Sequence, residues 1–289
     1  MASGFNRADF PMMQKKIHGK PLVYLDSAAT SLKPACVIDA MSDFYKNDYA
    51  TVHRAAYSLS LVATEQYSQV REIVRDFIHA KSTEEIVFTR GTTEGINLIA
   101  ASFPLEAGDE VIISGQEHHS NIVPWQLRSG ITLKIIPLLS DGQIDLEKFK
   151  SLLTPKTKLV SIAHVSNVIG VVNPVEQIIA EAHAMGAAVV LDAAQSAVHL
   201  PIDVQTLNCD FLVFSSHKLY GPTGVGILYG KKEMLQKMPP YQGGGDMIQK
   251  VTFEKTTFQD PPLRFEAGTP MIAEVIGLGR ALQYISEHA

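Results

Sequence analysis

The chain is expected to fold as an α/β protein around a largely parallel sheet, and three observations lead there. Seven short apolar runs, at 85–89, 110–114, 132–137, 159–164, 187–192, 210–214 and 226–229, are separated mostly by stretches with helical spacing. That is the signature of strands alternating with helices. The runs are continuously apolar rather than alternating, as in strands covered on both faces. Polar residues capable of chemistry gather where the runs end, and the carboxyl ends of parallel strands are where such sheets place their sites.

Taken in order, residues 5–18 read as a short helix, with Phe10, Met13 and Ile17 near helical spacing. Residues 22–25 read as a short strand that ends in Asp26-Ser27-Ala28-Ala29-Thr30, a small-residue loop where backbone can approach a ligand. A helix is expected over 35–45, then the polar loop Ala50-Thr51-Val52-His53-Arg54. A long amphipathic helix over 63–80 gathers Tyr67, Val70, Ile73, Val74, Phe77 and Ile78 on one packing face. Within the alternating region, helices are expected near 93–102, 121–127, 146–153, 175–185 and 232–237. Residues 224–229 follow Lys218 after only a tight turn, so that strand is expected to run antiparallel to its predecessor. A last helix, 272–288, begins after Gly268-Thr269-Pro270. The expected division is an N-terminal helical segment over 1–20, a large domain over 21–271, and a helix over 272–289 that leads out of it.

Bulk composition narrows the function classes. The 289 residues are 46% hydrophobic and 19% charged, a globular composition with enough chain for a large core. Twenty-five basic against 30 acidic residues give a net charge of −5, without long blocks of either sign. This argues against nucleic acid or an anionic membrane as the main partner. No segment reaches the length of a membrane span, and the start lacks the apolar core of a signal peptide. The two cysteines, Cys36 and Cys209, are far apart and in no metal spacing. A reducing, cytoplasmic location is the expectation.

Four strand ends carry candidate chemistry. At Ser215-Ser216-His217-Lys218 an apolar run stops at a lysine, followed by the Gly/Pro turn Gly221-Pro222-Thr223-Gly224. Burying an ammonium is costly unless it is paired or reacted. A lysine that forms a Schiff base with an aldehyde cofactor resolves this chemically, while a lysine that snorkels to solvent is the plain alternative. At Arg90-Gly91-Thr92-Thr93-Glu94-Gly95-Ile96-Asn97 a strand passes into a helix whose first N–H groups and threonine hydroxyls suit an anion, or serve only as a helix cap. Glu117-His118-His119-Ser120-Asn121 offers an imidazole to stack on an aromatic cofactor, or a surface histidine; a metal pair lacks the i, i+4 partner. Asp192 with Gln195 ends a further run; a carboxylate there can hold a pyridinium nitrogen protonated, or cap a helix. Asn167 is a similar strand-end group. Together, phosphate anchor, imidazole, carboxylate and lysine are the set that pyridoxal phosphate requires.

On these residues the chain resembles the class-V aminotransferase group of fold-type-I pyridoxal-phosphate enzymes, and most closely the Suf-type cysteine desulfurases of the selenocysteine lyase–like branch. The likeness runs from Arg7-Ala8-Asp9-Phe10-Pro11 through Tyr24-Leu25-Asp26-Ser27-Ala28-Ala29, Asn121-Ile122-Val123-Pro124-Trp125 and His164-Val165-Ser166-Asn167 to Arg264-Phe265-Glu266-Ala267-Gly268-Thr269-Pro270. It implies a large domain with a seven-stranded, mostly parallel sheet, one antiparallel strand, and helices on both faces. It also implies Lys218 as the cofactor lysine and proton shuttle, Asp192 at the pyridine nitrogen, Gln195 at the phenolic oxygen, and His118 as the stacked, catalytic imidazole. Thr93, Ser215 and His217 would hold the phosphate, and Thr269 the phosphate of the partner subunit in a homodimer. Asn167 would sit near substrate and cofactor; His53, Arg54 and Glu94 fall at the site mouth or dimer contact.

The implied reaction converts L-cysteine to L-alanine and leaves a persulfide, whose sulfur passes to a Suf-type acceptor protein for iron–sulfur assembly. In this family the sulfur-accepting thiol and the substrate-clamping arginine lie in a smaller C-terminal domain, and the chain ends before it. Neither Cys36 nor Cys209 stands where the family places its nucleophile. Selenocysteine lyase, another class-V enzyme, and a non-catalytic fragment that binds cofactor or partner are the alternatives.

Overall fold

A computed structural model describes residues 4–53 and 56–288; Arg54 lies outside the described residues. Two compact units emerge. One comprises residues 78–214 and 226–269; the other comprises the chain up to residue 77, the excursion 215–225, and the segment from residue 270 onward.

The larger unit is built on seven strands: β1 (Ile86–Thr89), β2 (Glu110–Ser114), β3 (Thr132–Ile136), β4 (Thr157–Ala163), β5 (Ala188–Asp192), β6 (Phe211–Ser215) and β7 (Gly226–Gly230). Their order across the sheet is β1-β7-β6-β5-β4-β2-β3. Pairings among β2 to β6 are parallel. The strand β7 pairs antiparallel with β1, Phe88 opposite Ile227. Strands β1, β2, β5, β6 and β7 are buried at every position, which is why their sequences do not alternate. Crossover helices include α3 (Thr92–Ser102), α4 (Val123–Leu127), α5 (Leu146–Leu152), α6 (Val175–Ala184), α7 (Ser196–His199) and α8 (Val204–Leu207), with α9 (Lys232–Lys237) after β7. Ile99, Val111, Trp125, Leu159, Phe211 and Leu228 share one buried cluster. Each such side chain contributes about 1.5–3 kcal/mol by leaving water.

Register brings the carboxyl ends of the central strands together, with Ala163 opposite Asp192 and Ile113 opposite Ser161. The start of α3 is pressed onto the sheet at one point. A Cβ on Gly226 would lie 2.5 Å from the Gly91 Cα and 2.7 Å from the Phe214 carbonyl oxygen. Only two facing glycines allow that approach, and Gly91 itself has φ +147°.

In the smaller unit, α1 (Ala35–Asp43) and α2 (Ser58–Phe77) pack against α10 (Ile272–His288). Gly279 of α10 meets Val70 of α2, where any Cβ would clash at 2.7 Å.

Several expectations change. Residues 5–18 form two short 3-10 turns, Arg7–Asp9 and Pro11–Gln14, not a helix. Pro11 holds the preceding Phe10 extended (φ −104°, ψ 101°), which interrupts any helix there. Residues 22–25 are not a strand; Val23 and Leu25 are 75% and 93% exposed. An apolar run needs a ladder partner, and no strand among the described residues pairs with it. The helix expected over 63–80 is α2; it begins a turn earlier, where the apolar Leu59, Leu61 and Val62 face solvent rather than extend the packing face, and it stops before His79, which is left-handed (φ +55°). α1 passes into a π-helical turn, Phe44–Asp48. A hairpin of Ile248–Val251 and Thr256–Phe258 was not anticipated.

Candidate active site

In the sheet unit, Asp192 ends β5 and is buried. Its Oδ1 accepts the Ala194 N–H at 2.9 Å, so the local cap that the sequence allowed is formed. Gln195, three residues on, is buried as well. Across the sheet, Thr93 lies in the first turn of α3 and His118 in the loop after β2, both exposed. Ser120 joins them. Its hydroxyl lies 2.6 Å from the Thr93 hydroxyl and 3.0 Å from His118 Nδ1. Its N–H donates to the same Nδ1 at 3.1 Å. Nδ1 is therefore an acceptor, which leaves the proton of the neutral ring on Nε2. The anion-anchor threonine and the imidazole are thus one connected group. Asn167 and Thr269 stand exposed on loops; neither is joined to that group by a hydrogen bond.

Beneath His118 lies a residue to which the sequence reading gave no role. Glu117 is buried and accepts from the Ser114 hydroxyl, from Asn121 Nδ2 at 2.7 Å, and from the Ala163 N–H at 2.9 Å. Asn121 Oδ1 in turn accepts from Trp125 Nε1 at 3.0 Å and the Ser161 hydroxyl at 2.5 Å. The network ties the His118 loop to the ends of β2 and β4. Burial pushes the Glu117 carboxyl up to about 7; its hydrogen bonds pull the other way, and the negative charge of Asp192 adds to the rise. The signal in the sequence was the pair Glu117 and Asn121, spaced i, i+4 around the histidines. Glu94 is held structurally: its carboxylate accepts the Arg90 N–H at 2.5 Å and the Tyr241 hydroxyl at 2.6 Å.

In the other unit, Ser215 is buried and the 3-10 turn Ser216–Lys218 follows it. Tyr220 takes φ +62°, and Gly221 backs onto Ser216, whose Oγ a Cβ would reach at 2.0 Å. Lys218 and His217 are half-buried. Burial, then the charges of Lys218 and Lys33, hold His217 below the usual imidazole range. The loop of small residues predicted to approach a ligand approaches this turn instead, with Thr30 and Ser31 both donating to the His217 carbonyl. His53 is exposed and left-handed (φ +70°), with its N–H on Thr64 Oγ1 and its ring edge-on to Tyr67. Cys209 is buried with its thiol pushed up to about 12, and burial also raises the half-buried Cys36. Neither is an activated thiol.

A family model, aminotransferase class-V, matches residues 23–289. The chain belongs to the class-V aminotransferase family. Among its relatives, the cysteine desulfurase of Dickeya dadantii is 53% identical over 287 residues, which cover 97% of this chain and 70% of that protein. The cysteine desulfurase of Shigella sonnei is 54% identical, with 97% and 71% covered. The crystal structure of the cysteine desulfurase CsdA from Escherichia coli superposes with a TM-score of 0.90 at 42% identity, over 99% of this chain and 73% of that one. The apo cysteine desulfurase of Thermococcus onnurineus gives 0.91 at 40%, over 97% and 70%. The seven-stranded sheet is therefore that of the fold-type-I large domain.

Class-V aminotransferases depend on pyridoxal phosphate, and the residues present fit that group. The eleven-residue α3 presents its first N–H groups over the paired glycines Gly91 and Gly226, beside the exposed Thr93 hydroxyl, an arrangement that suits a phosphate. Asp192 is a buried carboxylate at a strand end, and the His118 tautomer leaves its N–H on Nε2.

Proposed function

We propose that this class-V aminotransferase is a cysteine desulfurase of the Suf type, which takes sulfur from L-cysteine and releases L-alanine. The observation that carries the reading is Lys218, three residues past the end of β6 on a tightly held turn, in a chain more than half identical to cysteine desulfurases over 97% of its length. In this reading Lys218 anchors the cofactor, and its Nζ takes the proton from the substrate Cα and returns one to the product. The Asp192 carboxylate holds a proton on the pyridine nitrogen, and Gln195 donates to the phenolic oxygen. His118 stacks on the ring; Thr93, Ser215 and His217 hold the phosphate, and Asn167 lines the substrate side. Bound there, pyridoxal phosphate supplies an electron-poor ring that stabilises the electron pair released at Cα.

The sulfur goes to a thiolate as a persulfide, and the balance is one thiol and one cysteine giving one persulfide and one alanine. In this reading neither Cys36 nor Cys209 is that thiol; burial raises both, Cys209 to about 12. Two chains would share the site, with Thr269 reaching the partner's phosphate. The persulfide sulfur would leave for a Suf-type acceptor in iron–sulfur assembly.

The test is borohydride reduction of the protein with pyridoxal phosphate, followed by peptide mass mapping and an assay for alanine from L-cysteine. A pyridoxyl group on Lys218 is expected. Labelling scattered over surface lysines, or none, would overturn the assignment of Lys218; a chain that turns over selenocysteine but not cysteine would overturn the substrate.

A further inference from the structure

The carbonyl oxygen of His217, the residue before Lys218, accepts from four donors. These are the Ser31 N–H at 3.0 Å, the Ser31 hydroxyl at 3.0 Å, the Thr30 hydroxyl at 3.2 Å and the Lys33 ammonium at 2.8 Å. A carbonyl has two lone pairs, so this acceptor is saturated. The same segment grips the turn on the far side of Lys218, where the Tyr220 N–H donates to Ser31 Oγ at 2.8 Å. Lys33 completes its own shell on the Ser31 carbonyl at 2.7 Å.

Lys33 is the unexpected member. It has no carboxylate within ion-pair reach among the described residues, and burial lowers it to about 8. Neutral hydroxyls already meet the carbonyl, so a desolvated ammonium is not needed to satisfy it. What the ammonium adds is a charge-assisted bond, about twice as strong as a neutral one. Its positive charge, with that of Lys218, also adds to the burial that holds His217 below the usual imidazole range. The His217 carbonyl and the Lys218 nitrogen belong to one rigid peptide plane. Fixing the oxygen therefore fixes the direction in which the Lys218 Cα presents its side chain.

We propose that Lys33 is a positioning residue for Lys218. Through the His217 carbonyl it locks the peptide that carries the cofactor lysine. This rests on the reading of Lys218 as the cofactor lysine.

The experiment compares wild type, Lys33→Met and Lys33→Arg in two measurements. Amide hydrogen exchange without cofactor reports the lock. Lys33→Met is expected to speed exchange at Ser31 and Tyr220 about tenfold, the factor for one charge-assisted bond lost, with β4 and β5 unchanged; Lys33→Arg should retain protection. Borohydride trapping reports what the lock does for Lys218. Lys33→Met should label Lys218 more slowly, and Lys33→Arg should restore the wild-type rate. Unchanged exchange in Lys33→Met would overturn the lock. Faster exchange with an unchanged labelling rate would overturn the positioning role and leave Lys33 merely structural. Absence of Lys218 label in wild type would instead refute the functional reading, and the exchange data would still decide the lock.

Discussion

Replacing Glu117 by glutamine removes one ionisable group and leaves most of its contacts in place. The amide oxygen can accept from Asn121 and Ala163, and the amide nitrogen can donate to Ser114, in the positions that the carboxylate oxygens now occupy. The wild-type carboxyl is raised from 4.5 to about 7 by burial. A group whose folded value lies above its unfolded value binds more protons folded than unfolded between the two. Its stabilising contribution is complete below pH 4.5 and is lost as pH rises through 7. That rise, from 4.5 to about 7, at about 1.4 kcal/mol per pH unit, amounts to roughly 3 kcal/mol. Glutamine does not titrate, so the difference in unfolding free energy between Glu117→Gln and wild type should move in favour of the mutant by about that amount between pH 4.5 and 8. Urea denaturation of both proteins at four pH values gives this difference, and every other titrating group cancels in it to first order. Infrared difference spectra of the two would show the protonated carboxyl near neutral pH directly. A flat difference across the window would refute the reasoning; it would mean that the three donors hold Glu117 ionised despite its burial.

Further tests address other parts of the chain. Gly226→Ala places a methyl 2.5 Å from Gly91 and should destabilise the protein by about 1–3 kcal/mol through overpacking. Chemical denaturation checks it, and a neutral outcome would mean that α3 moves freely on the sheet. Lys33 is lowered from 10.5 to about 8, so the unfolded chain binds more protons between those values and stability should rise with pH across that window. Lys33→Met should abolish this rise in thermal melts, and NMR of ε-labelled lysine should place the Lys33 midpoint near 8. Lys218→Ala should lose the yellow colour of bound cofactor, and retained colour in the absorbance spectrum would assign the cofactor to another lysine.

The fold was legible where packing alone decides it. All seven sheet strands lie close to where the apolar runs put them; β1, β2, β5, β6 and β7 are covered on both faces and so apolar throughout, whereas the edge strand β3 is partly exposed despite the expectation. Legibility failed in the first thirty residues. There Phe10 and Met13 have helical spacing, but Pro11 prevents a continuous helix, and Val23 and Leu25 are apolar without being inside. At the candidate site, the polar residue types at the strand ends were visible in the sequence, Asp192 most tellingly, because a buried carboxylate is costly unless it is paired. Their supports were not. Ser120 between Thr93 and His118, Glu117 beneath the loop, and Lys33 on the His217 carbonyl act across 27, 46 and 184 residues of chain. No local pattern encodes such distances.

The two supports share a property that bears on how the chemistry would be measured. Glu117 and Lys33 are both driven toward neutrality by burial, one from below and one from above, to about 7 and about 8. Raising the pH from 6 to 9 therefore ionises Glu117, which adds negative charge that Asp192 feels, and discharges Lys33, which weakens the hold on the Lys218 peptide. Neither group touches a reacting atom in the proposed reaction, yet both are shifted to near neutral pH, inside the range that a pH–rate profile covers. A bell-shaped pH–rate profile reports macroscopic values of an interacting set, not of single residues. Assignment of its limbs to Lys218 or His118 holds only if they persist in Glu117→Gln and Lys33→Met. A limb that vanishes in Glu117→Gln belongs to the support beneath His118, and one that vanishes in Lys33→Met belongs to the lock on Lys218.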